Sequence, residues 1–248
     1  MWLFPGSSGI LQEMAFGVYE YDTVKVLQRL IKPGMTVVDI GAFVGFYTLL
    51  AAELVGTAGR VYAFEPNPQA LELLLRNIRE NNLEEIVKVI PYAVSNHRDR
   101  VRLFIKNEPG EASFYGQPEE NNINNIEVET LSLDEFFAGE GWPEVHFIKL
   151  DVEGAEVKVM EGMKEVVRRN LWLKMLVEFN PRCQVRAAGN YRRFFELLLD
   201  LGFDRFYAIR GDTIEVFIPQ DIQKLVQMTE TTKYKYINLL CEISGARK

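Results

Sequence analysis

Acidic side chains follow three apolar stretches of this chain, at positions where a ligand could reach them. Asp39 lies within VVDIGAFVGFYT, and Glu65 ends VYAFE. Asp151 comes directly after FIKL, and Glu153 stands two residues further on. In parallel sheets the carboxyl ends of the strands meet at one edge, and ligands bind just beyond that edge. We therefore take these acids as candidates for one binding site.

Two glycines mark the turn that follows the first apolar stretch. Gly41 and Gly45 have the spacing GxxxG, which differs from the GxGxxG of dinucleotide-binding folds. A glycine turn lets a ligand approach the backbone, and the helix after it presents free N–H groups. Glu65 stands 20 residues after Gly45, where Rossmann-type sites place an acid on ribose hydroxyls. The turn therefore indicates a nucleoside-containing cofactor.

Asp39 bears on which cofactor this is. A carboxylate repels a pyrophosphate but attracts an ammonium group. S-adenosylmethionine has a ribose for Glu65, an amine for Asp39 and no phosphate. The first two strands therefore favour S-adenosylmethionine over NAD. The alternative interpretation of Asp39 is a buried acid satisfied by the amides of the turn.

The acids after FIKL indicate the chemistry of an acceptor. A carboxylate can take the proton that an alcohol loses during attack, so Asp151 and Glu153 favour a hydroxyl acceptor. Lys149 shares a strand face with Asp151, and a buried lysine needs an acidic partner, which we expect to be Asp151 or Glu178. We predict Asp151, Glu153, Lys149 and Glu178 as catalytic residues, and Glu20 is a further candidate contact to the acceptor. The alternatives are solvated or capping acids and a lysine that only compensates charge.

A metal site is an open alternative for the same acids. Asp151, Glu153 and Glu178 supply oxygen ligands of the kind that magnesium and calcium prefer. No ligand spacing in the sequence requires a metal, so we predict none. The two cysteines, Cys183 and Cys241, form no CxxC pair, which argues against zinc.

Composition limits the classes of protein. The chain has 248 residues, of which 48% are hydrophobic, so we predict a single domain over residues 1–248. The formal net charge of −7 disfavours nucleic acid, because phosphate contacts need clustered positive charge. No apolar run reaches about 18 residues, so we expect no membrane span. Two cysteines and a start without a basic n-region predict a cytoplasmic protein.

Strands alternate with helices along the chain, which is typical of βαβ units around a parallel sheet. We predict an α/β fold with helices on both faces of the sheet. Helices are expected over 46–56, from Pro68 with Asn67 as N-cap, and after Asn190. The predicted strands are 36–42, 60–66, 87–95, 145–156 and 174–180, with a closing pair at 206–209 and 214–218.

Two segments lie outside this alternation. Residues 1–34 are predicted to form an N-terminal helical extension. Residues 107–125 are rich in Asn, Glu, Gly and Pro, and we predict that they form a long loop on the substrate side.

Four motifs in order resemble the FkbM family of methyltransferases. They are VVDIGAFVGFYT, VYAFEPNPQALELLLRNI, VIPYAVSN and FIKLDVEGAEVKVMEGM, and the resemblance covers Gly17 to Asn180. It implies a class I methyltransferase fold, Rossmann-like with a mostly parallel seven-stranded sheet. It also implies S-adenosylmethionine as cofactor and hydroxyl oxygens, often on sugars or natural products, as acceptors. Phe43 stands where that family often has asparagine.

The combined prediction is an S-adenosylmethionine-dependent O-methyltransferase acting on a sugar, a glycan or a small natural product. The alternatives are a non-catalytic binding module of the same fold and an NAD-dependent oxidoreductase. We expect Ala93, Val94 and Ser95 to face the adenine. The full set of predicted cofactor contacts is Asp39, Gly41, Ala42, Gly45, Thr48, Glu65, Pro66, Asn67, Ala93, Val94, Ser95 and Asp151.

Overall fold

The computed structural model describes residues 1, 9–105, 112–115, 124–211, 213–217 and 222–244, with backbone alone for 112, 124 and 213–217. The helices are α1 Ile10–Ala15, α2 Tyr21–Leu30, α3 Phe46–Val55, α4 Pro68–Glu80, α5 Leu133–Gly139, α6 Glu156–Glu161, α7 Lys164–Arg169, α8 Pro181–Ala188, α9 Arg192–Asp200 and α10 Ile222–Glu230. The strands are β1 Thr36–Ile40, β2 Arg60–Phe64, β3 Val87–Ile90, β4 Ala93–Val94, β5 Asp99–Ile105, β6 Ala112–Ser113, β7 Asn124–Leu131, β8 Phe147–Leu150, β9 Lys174–Phe179, β10 Arg205–Arg210, β11 Thr213–Phe217 and β12 Ile237–Glu242.

The main sheet has the strand order β11-β10-β12-β9-β8-β1-β2-β3. From β9 to β3 all neighbours pair in parallel, while β12, β10 and β11 pair antiparallel to their neighbours. The mostly parallel, helix-flanked sheet of the predicted fold class is confirmed. The structure places eight strands in it rather than seven, because β12 inserts between β9 and the predicted closing pair β10–β11.

The predicted third strand, 87–95, is divided between two sheets. Its first part, β3, pairs with β2 in the main sheet, whereas β4 pairs with β7 in a second sheet of order β4-β7-β5-β6. Pro91 lies between the two parts and has no N–H to continue a hydrogen-bond ladder. Ala93 and Val94 therefore leave the main sheet, and the prediction of one continuous strand is wrong.

The two faces of the parallel strands belong to different cores. Val38 and Ile148 point into the larger cluster beneath α5, α6 and α9. Val37, Phe147 and Leu176 point into the cluster that α2 and α3 cover. Since strand side chains alternate, the polar residues two positions further along these three strands continue onto the second face. This alternation brings Asp39, Lys149 and Glu178 to one side of the sheet edge.

Glycines and capping residues determine where the helices beside that edge begin and end. α3 begins after Gly45, which has φ of 97°, and ends at Gly56, which has φ of 62°. α4 has Pro68 in its first turn, and the Asn67 side chain accepts a hydrogen bond from the Gln69 N–H at 3.1 Å. The predicted N-cap is confirmed. Near α9, Asn190 accepts from the Arg192 N–H at 2.9 Å.

Two helices, α1 and α2, lie within the predicted N-terminal extension. The predicted substrate-side loop, 107–125, falls mostly outside the described residues, which here are 112–115 and 124–125. The assignment of the whole chain to one domain stays a prediction. Within the described part of the chain, no helix combines the length and the apolar character needed to cross a bilayer.

Gly162, which follows α6, offers a test of how the end of this helix packs against the second sheet. A Cβ at Gly162 would lie 2.2 Å from the carbonyl oxygen of Ser95, just after β4. Backbone atoms cannot yield as a flexible side chain does, so we expect Gly162→Ala to lower the free energy of unfolding by about 2 kcal/mol. Urea denaturation followed by circular dichroism measures the change. Gly139→Ala is the matched control, because a Cβ there meets nothing within 4 Å. Equal midpoints for the two variants would contradict the packing described here.

Candidate active site

A cleft of about 560 Å³ opens at the carboxyl ends of β2, β1, β8 and β9. This volume is typical of small-molecule sites. Glu65 and Ala93 line it at the β2 side, and Glu178 lines it at the β9 side, with Asp151 between them. Apart from Asp39, the acids predicted as catalytic or cofactor-binding residues therefore line one cleft.

Asp39 is buried under the floor of this cleft, with 1% of its surface exposed. Its Oδ2 accepts a hydrogen bond from the Thr48 hydroxyl at 2.6 Å, while Oδ1 has no hydrogen-bond partner among the described residues. Burial raises the pKa of Asp39, and the Lys149 charge and the Thr48 hydroxyl act in the opposite direction. An unsatisfied buried acceptor costs about 1–3 kcal/mol.

Glu65 is buried at the end of β2, and backbone N–H groups hold both of its oxygens. Oε2 accepts from the N–H of Phe43 and Oε1 from that of Asn67, each at 2.8 Å. Burial raises the pKa of Glu65 to about 7, while the two N–H groups pull it down. Each carboxylate oxygen retains a lone pair for a further donor. Glu65 is thus held rigidly in place to accept hydrogen bonds from ligand hydroxyls.

The glycine turn is shaped by close packing. Gly41 has φ of 82°, and a Cβ there would lie 1.9 Å from the backbone oxygen of Asp151. A Cβ on Gly45 would lie 2.7 Å from Leu74 Cδ1. Gly41 is therefore needed for the approach of a neighbouring backbone, whereas Gly45 is needed for its φ of 97°, since the Leu74 side chain can move.

Left-handed backbone occurs at three non-glycine residues that line the cleft. Among the described non-glycine residues, Glu20, Phe43, Asn82, Trp142, Glu153 and Lys235 have positive φ. Phe43, Glu153 and Lys235 line the cleft. Such conformations cost roughly 1–3 kcal/mol each and cluster at functional sites. At Phe43 this explains why asparagine, which tolerates the conformation better, suits this turn.

Lys149 and Asp151 form an ion pair at the end of β8. The Lys149 Nζ lies 3.0 Å from Asp151 Oδ2, and the lysine side chain is 8% exposed. The Nζ also lies 4.8 Å from the centre of the Tyr47 ring. Burial alone would lower the pKa of Lys149, but the carboxylates of Asp151 and Asp39 outweigh it and raise the pKa. The predicted partnership is confirmed, and Lys149 keeps its charge within the site.

Glu178 lies beside Asp151, because β8 and β9 pair Leu150 with Val177 and these acids come next. Glu178 is buried, and burial together with the charges of Asp151 and Glu153 raises its pKa well above the usual range. One oxygen from each of the three acids lies within 4.8 Å of the other two. Such an arrangement favours the protonated form of Glu178, and its carboxylate, once ionised, is a stronger base than an ordinary one. The predicted absence of a metal stays a prediction.

Glu156 is a site residue that the sequence reasoning missed. It is 2% exposed, and its Oε1 accepts from the N–H groups of Val152 and Gly154 at 3.2 Å each. The amide of Gln184 on α8 donates to its other oxygen. Glu156 therefore fixes the turn that carries Asp151 and Glu153. The signal was an acid at the first position of a helix, two residues after Gly154.

Glu20 joins distant parts of the chain beside the site. Its carboxylate accepts hydrogen bonds from the hydroxyls of Tyr47 and Tyr236 and from the amide of Asn238. Tyr47 and Tyr236 line the cleft. Glu20 thus acts on the cleft through its tyrosine neighbours. No local pattern could have shown this, because Glu20 and Tyr236 are 216 residues apart.

Most of the predicted site residues line the cleft, and four do not. Asp39 and Thr48 are paired beneath its floor, and Gly45 packs on Leu74. Ser95 is buried beside β7, where its N–H donates to the Leu131 carbonyl at 2.8 Å. The residues that do line the cleft are Gly41, Ala42, Glu65, Pro66, Asn67, Ala93, Val94, Lys149, Asp151, Glu153 and Glu178.

The family of the chain follows from a comparison with family models. The methyltransferase FkbM domain matches residues 39–204, a span that runs from the first candidate acid to beyond α9. The chain belongs to the FkbM methyltransferase family. The resemblance inferred from the four motifs is therefore confirmed.

Several characterised proteins are similar to this FkbM-family chain. Hexuronic acid methyltransferase AglP of Haloferax volcanii is 24% identical over 149 residues, covering 60% of this chain and 58% of that protein. Methyltransferase sdnD of Sordaria araneosa is 27% identical over 201 residues, covering 68% and 73%. Ribosomal RNA large subunit methyltransferase E of Legionella pneumophila is 39% identical over 79 residues, covering 30% and 38%. The chain thus spans less than two thirds of the length of two of these relatives.

Solved structures confirm the fold class. An S-adenosylmethionine-dependent O-methyltransferase of Thermotoga maritima superposes with a TM-score of 0.54 at 14% identity, covering 95% of this chain and 72% of that one. An FkbM methyltransferase of Methylobacillus flagellatus superposes with a TM-score of 0.53 at 14% identity, covering 88% and 50%. At this identity the similarity shows the fold alone.

The FkbM-family chain offers a test of Glu156 through the pH dependence of its stability. Burial raises the pKa of Glu156 to about 7 from an ordinary value of 4.5. Its contribution to stability is therefore full below pH 4.5 and is lost as pH rises through 7, a change of about 3 kcal/mol. Glu156→Gln cannot ionise, so its free energy of unfolding should fall less than that of the wild type between pH 5 and pH 8.

Urea denaturation at the two pH values measures this difference. Glu72→Gln is the control, because Glu72 is exposed on α4 and should leave the pH dependence unchanged. If the free energy of unfolding fell equally in the wild type and in Glu156→Gln, the pKa of Glu156 would not be raised by folding, which would contradict the prediction.

Proposed function

We propose that this chain transfers the methyl group of S-adenosylmethionine to a hydroxyl of a carbohydrate or a related small molecule. The observation that carries the proposal is the group at the β8 and β9 ends. There the Lys149–Asp151 ion pair stands beside Glu178, a buried acid whose pKa is raised. An alcohol must lose its proton during methyl transfer, and the carboxylate form of Glu178, once ionised, can receive that proton.

The β1 and β2 ends fit the cofactor. Glu65 would accept hydrogen bonds from its ribose hydroxyls, and the carboxyl of Asp39, beneath the floor, would attract its ammonium group without touching it. Ala93 and Val94 give the cleft an apolar wall beside Glu65 that suits a planar base. When bound, S-adenosylmethionine supplies an electrophilic methyl group on a sulfonium. The acids of the cleft favour this cation over a dinucleotide, because they repel a pyrophosphate.

The acceptor would then be held at the other end of the cleft. Lys149 donates a hydrogen bond to Asp151 and fixes its direction, so Asp151 can accept a hydrogen bond from a neighbouring hydroxyl of the acceptor. Glu178 lies beside Asp151 and takes the proton from that hydroxyl. The protein contributes chiefly by alignment and by proton removal, which are together worth several kcal/mol of the barrier.

The comparisons support a small hydroxylated acceptor. AglP is named as a methyltransferase of a hexuronic acid, and the Thermotoga maritima neighbour is named as an O-methyltransferase. The Legionella pneumophila relative is named for ribosomal RNA, but it matches 79 residues only. The net charge of −7 favours a small acceptor over RNA, because RNA binding needs clustered positive charge.

The proposal predicts a cofactor effect on thermal stability. S-adenosylhomocysteine should raise the melting temperature of the wild type, because ligand at a hundred times its Kd stabilises by about 2.7 kcal/mol. Glu65→Ala should remove most of that rise, whereas Glu72→Ala on the exposed face of α4 should keep it. Differential scanning fluorimetry with S-adenosylhomocysteine, NAD and no ligand measures the effect. A rise with NAD alone would overturn the choice of cofactor.

The second prediction concerns Glu178. Glu178→Gln should lower kcat by about a hundredfold and leave the Kd of S-adenosylhomocysteine unchanged, because only the proton acceptor is lost. In the wild type kcat should rise with pH as Glu178 ionises, and the variant should lose this dependence.

The measurement is S-adenosylhomocysteine formation with the best acceptor from a panel of hexuronic acids and neutral sugars. Glu196→Gln, on the exposed side of α9, is the control. If the pH profile of Glu178→Gln matched that of the wild type, another group would be the base. If no acceptor gave turnover while the cofactor bound, a non-catalytic module would be the better description.

A further inference from the structure

The cleft has a basic wall at the end farthest from Glu65. Along the main sheet, β2 and β9 lie on opposite sides of β1 and β8, so the cleft runs from Glu65 to Glu178. α8 begins at Pro181, directly after β9, and its Arg182 and Arg186 both line the cleft. These arginines therefore stand at the acceptor end.

The two arginines face the same way, at a cost to the helix. They are four residues apart on α8, and like charges at this spacing destabilise a helix by roughly 0.2–0.5 kcal/mol. Cys183 lies beside Arg182 on α8, and its thiol donates to Glu153 Oε2 at 3.4 Å. This contact holds α8 against the turn that carries Asp151. The pair of positive charges is thereby fixed next to the acidic group of the site.

Neither guanidinium is fully used within the protein. No hydrogen bond or ion pair joins Arg186 to another residue in the described ranges. Arg182 meets Glu230 at 3.4 Å, and both side chains are more than half exposed, so the contact contributes at most about 1 kcal/mol. Both arginines can therefore turn their N–H groups to a ligand in the cleft.

We infer that the acceptor carries an anionic group, a carboxylate or a phosphate ester, which Arg182 and Arg186 bind while its hydroxyl reaches Asp151 and Glu178. This inference rests on the proposed function, because it assigns the substrate class of the same site. Guanidinium groups match such oxyanions with paired N–H donors. The acids deeper in the cleft repel an anion, whereas the two arginines attract it. Together they orient the acceptor as it enters the cleft.

Binding of three sugars tests this assignment without catalysis. D-glucose is neutral, whereas D-glucuronate and D-glucose 6-phosphate are anionic. Comparing the two anions shows whether the site prefers a carboxylate or a phosphate ester. Isothermal titration of the full chain, saturated with S-adenosylhomocysteine, should give at least one anionic sugar an affinity about tenfold above that of glucose. The double variant R182Q/R186Q should lose this preference. R79Q, at the far end of α4 and outside the cleft, should keep it.

Two outcomes would overturn the inference. One is a wild type that binds glucose as tightly as both anions, or binds neither anion. The other is an anion preference that survives in R182Q/R186Q. The proposed function is tested separately by S-adenosylhomocysteine binding and by methyl transfer to neutral sugars. If the cofactor binds and a neutral sugar is methylated without any preference for anions, the proposed function stands and the anion site does not exist.

Discussion

The buried ammonium of Lys149 is the interaction on which the site depends. It stands between Asp39, its partner in the pairing of β1 with β8, and Asp151, to which it is hydrogen bonded. Removing a charge from water costs several kcal/mol unless a partner compensates. Here several acids share the sheet edge with one lysine. The positive charge of Lys149 offsets the cost of burying the acids, and the acids offset the cost of burying Lys149. Without it, the carboxyls of Asp39 and Asp151 would repel each other at the sheet edge.

Because the acidic side chains outnumber Lys149, the other acids of the site are stabilised by different hydrogen-bond donors. Glu65 and Glu156 are each held by backbone N–H groups, which supply partial positive charge without a further side chain. Glu20 is held by tyrosine hydroxyls and an amide instead. Each of these acids is therefore stabilised by different donors, and each set of donors comes from a different segment. The site assembles only when all these segments are in place.

The sequence allowed the parallel part of the fold and most of the site to be predicted. Periodicity and capping residues identify the elements up to β9, because local chemistry such as the Asn67 cap decides them. The Lys149–Asp151 pair could be predicted because strand alternation places both on one face. The division at Pro91 was overlooked although the proline was visible. The position of β12 could not be predicted, because the insertion of a strand depends on long-range pairing and INLLCE has no distinct period.

The place of β12 in the main sheet has a consequence for how the protein is made. β12 pairs with β9 on one side and β10 on the other, yet it follows both along the chain. A ribosome releases β9 and β10 well before β12, so each exposes an unpaired strand edge in the meantime. Such edges readily pair with other chains. The nascent protein is therefore prone to aggregation in the interval between the release of β10 and that of β12, and chaperone contacts in this interval would protect it.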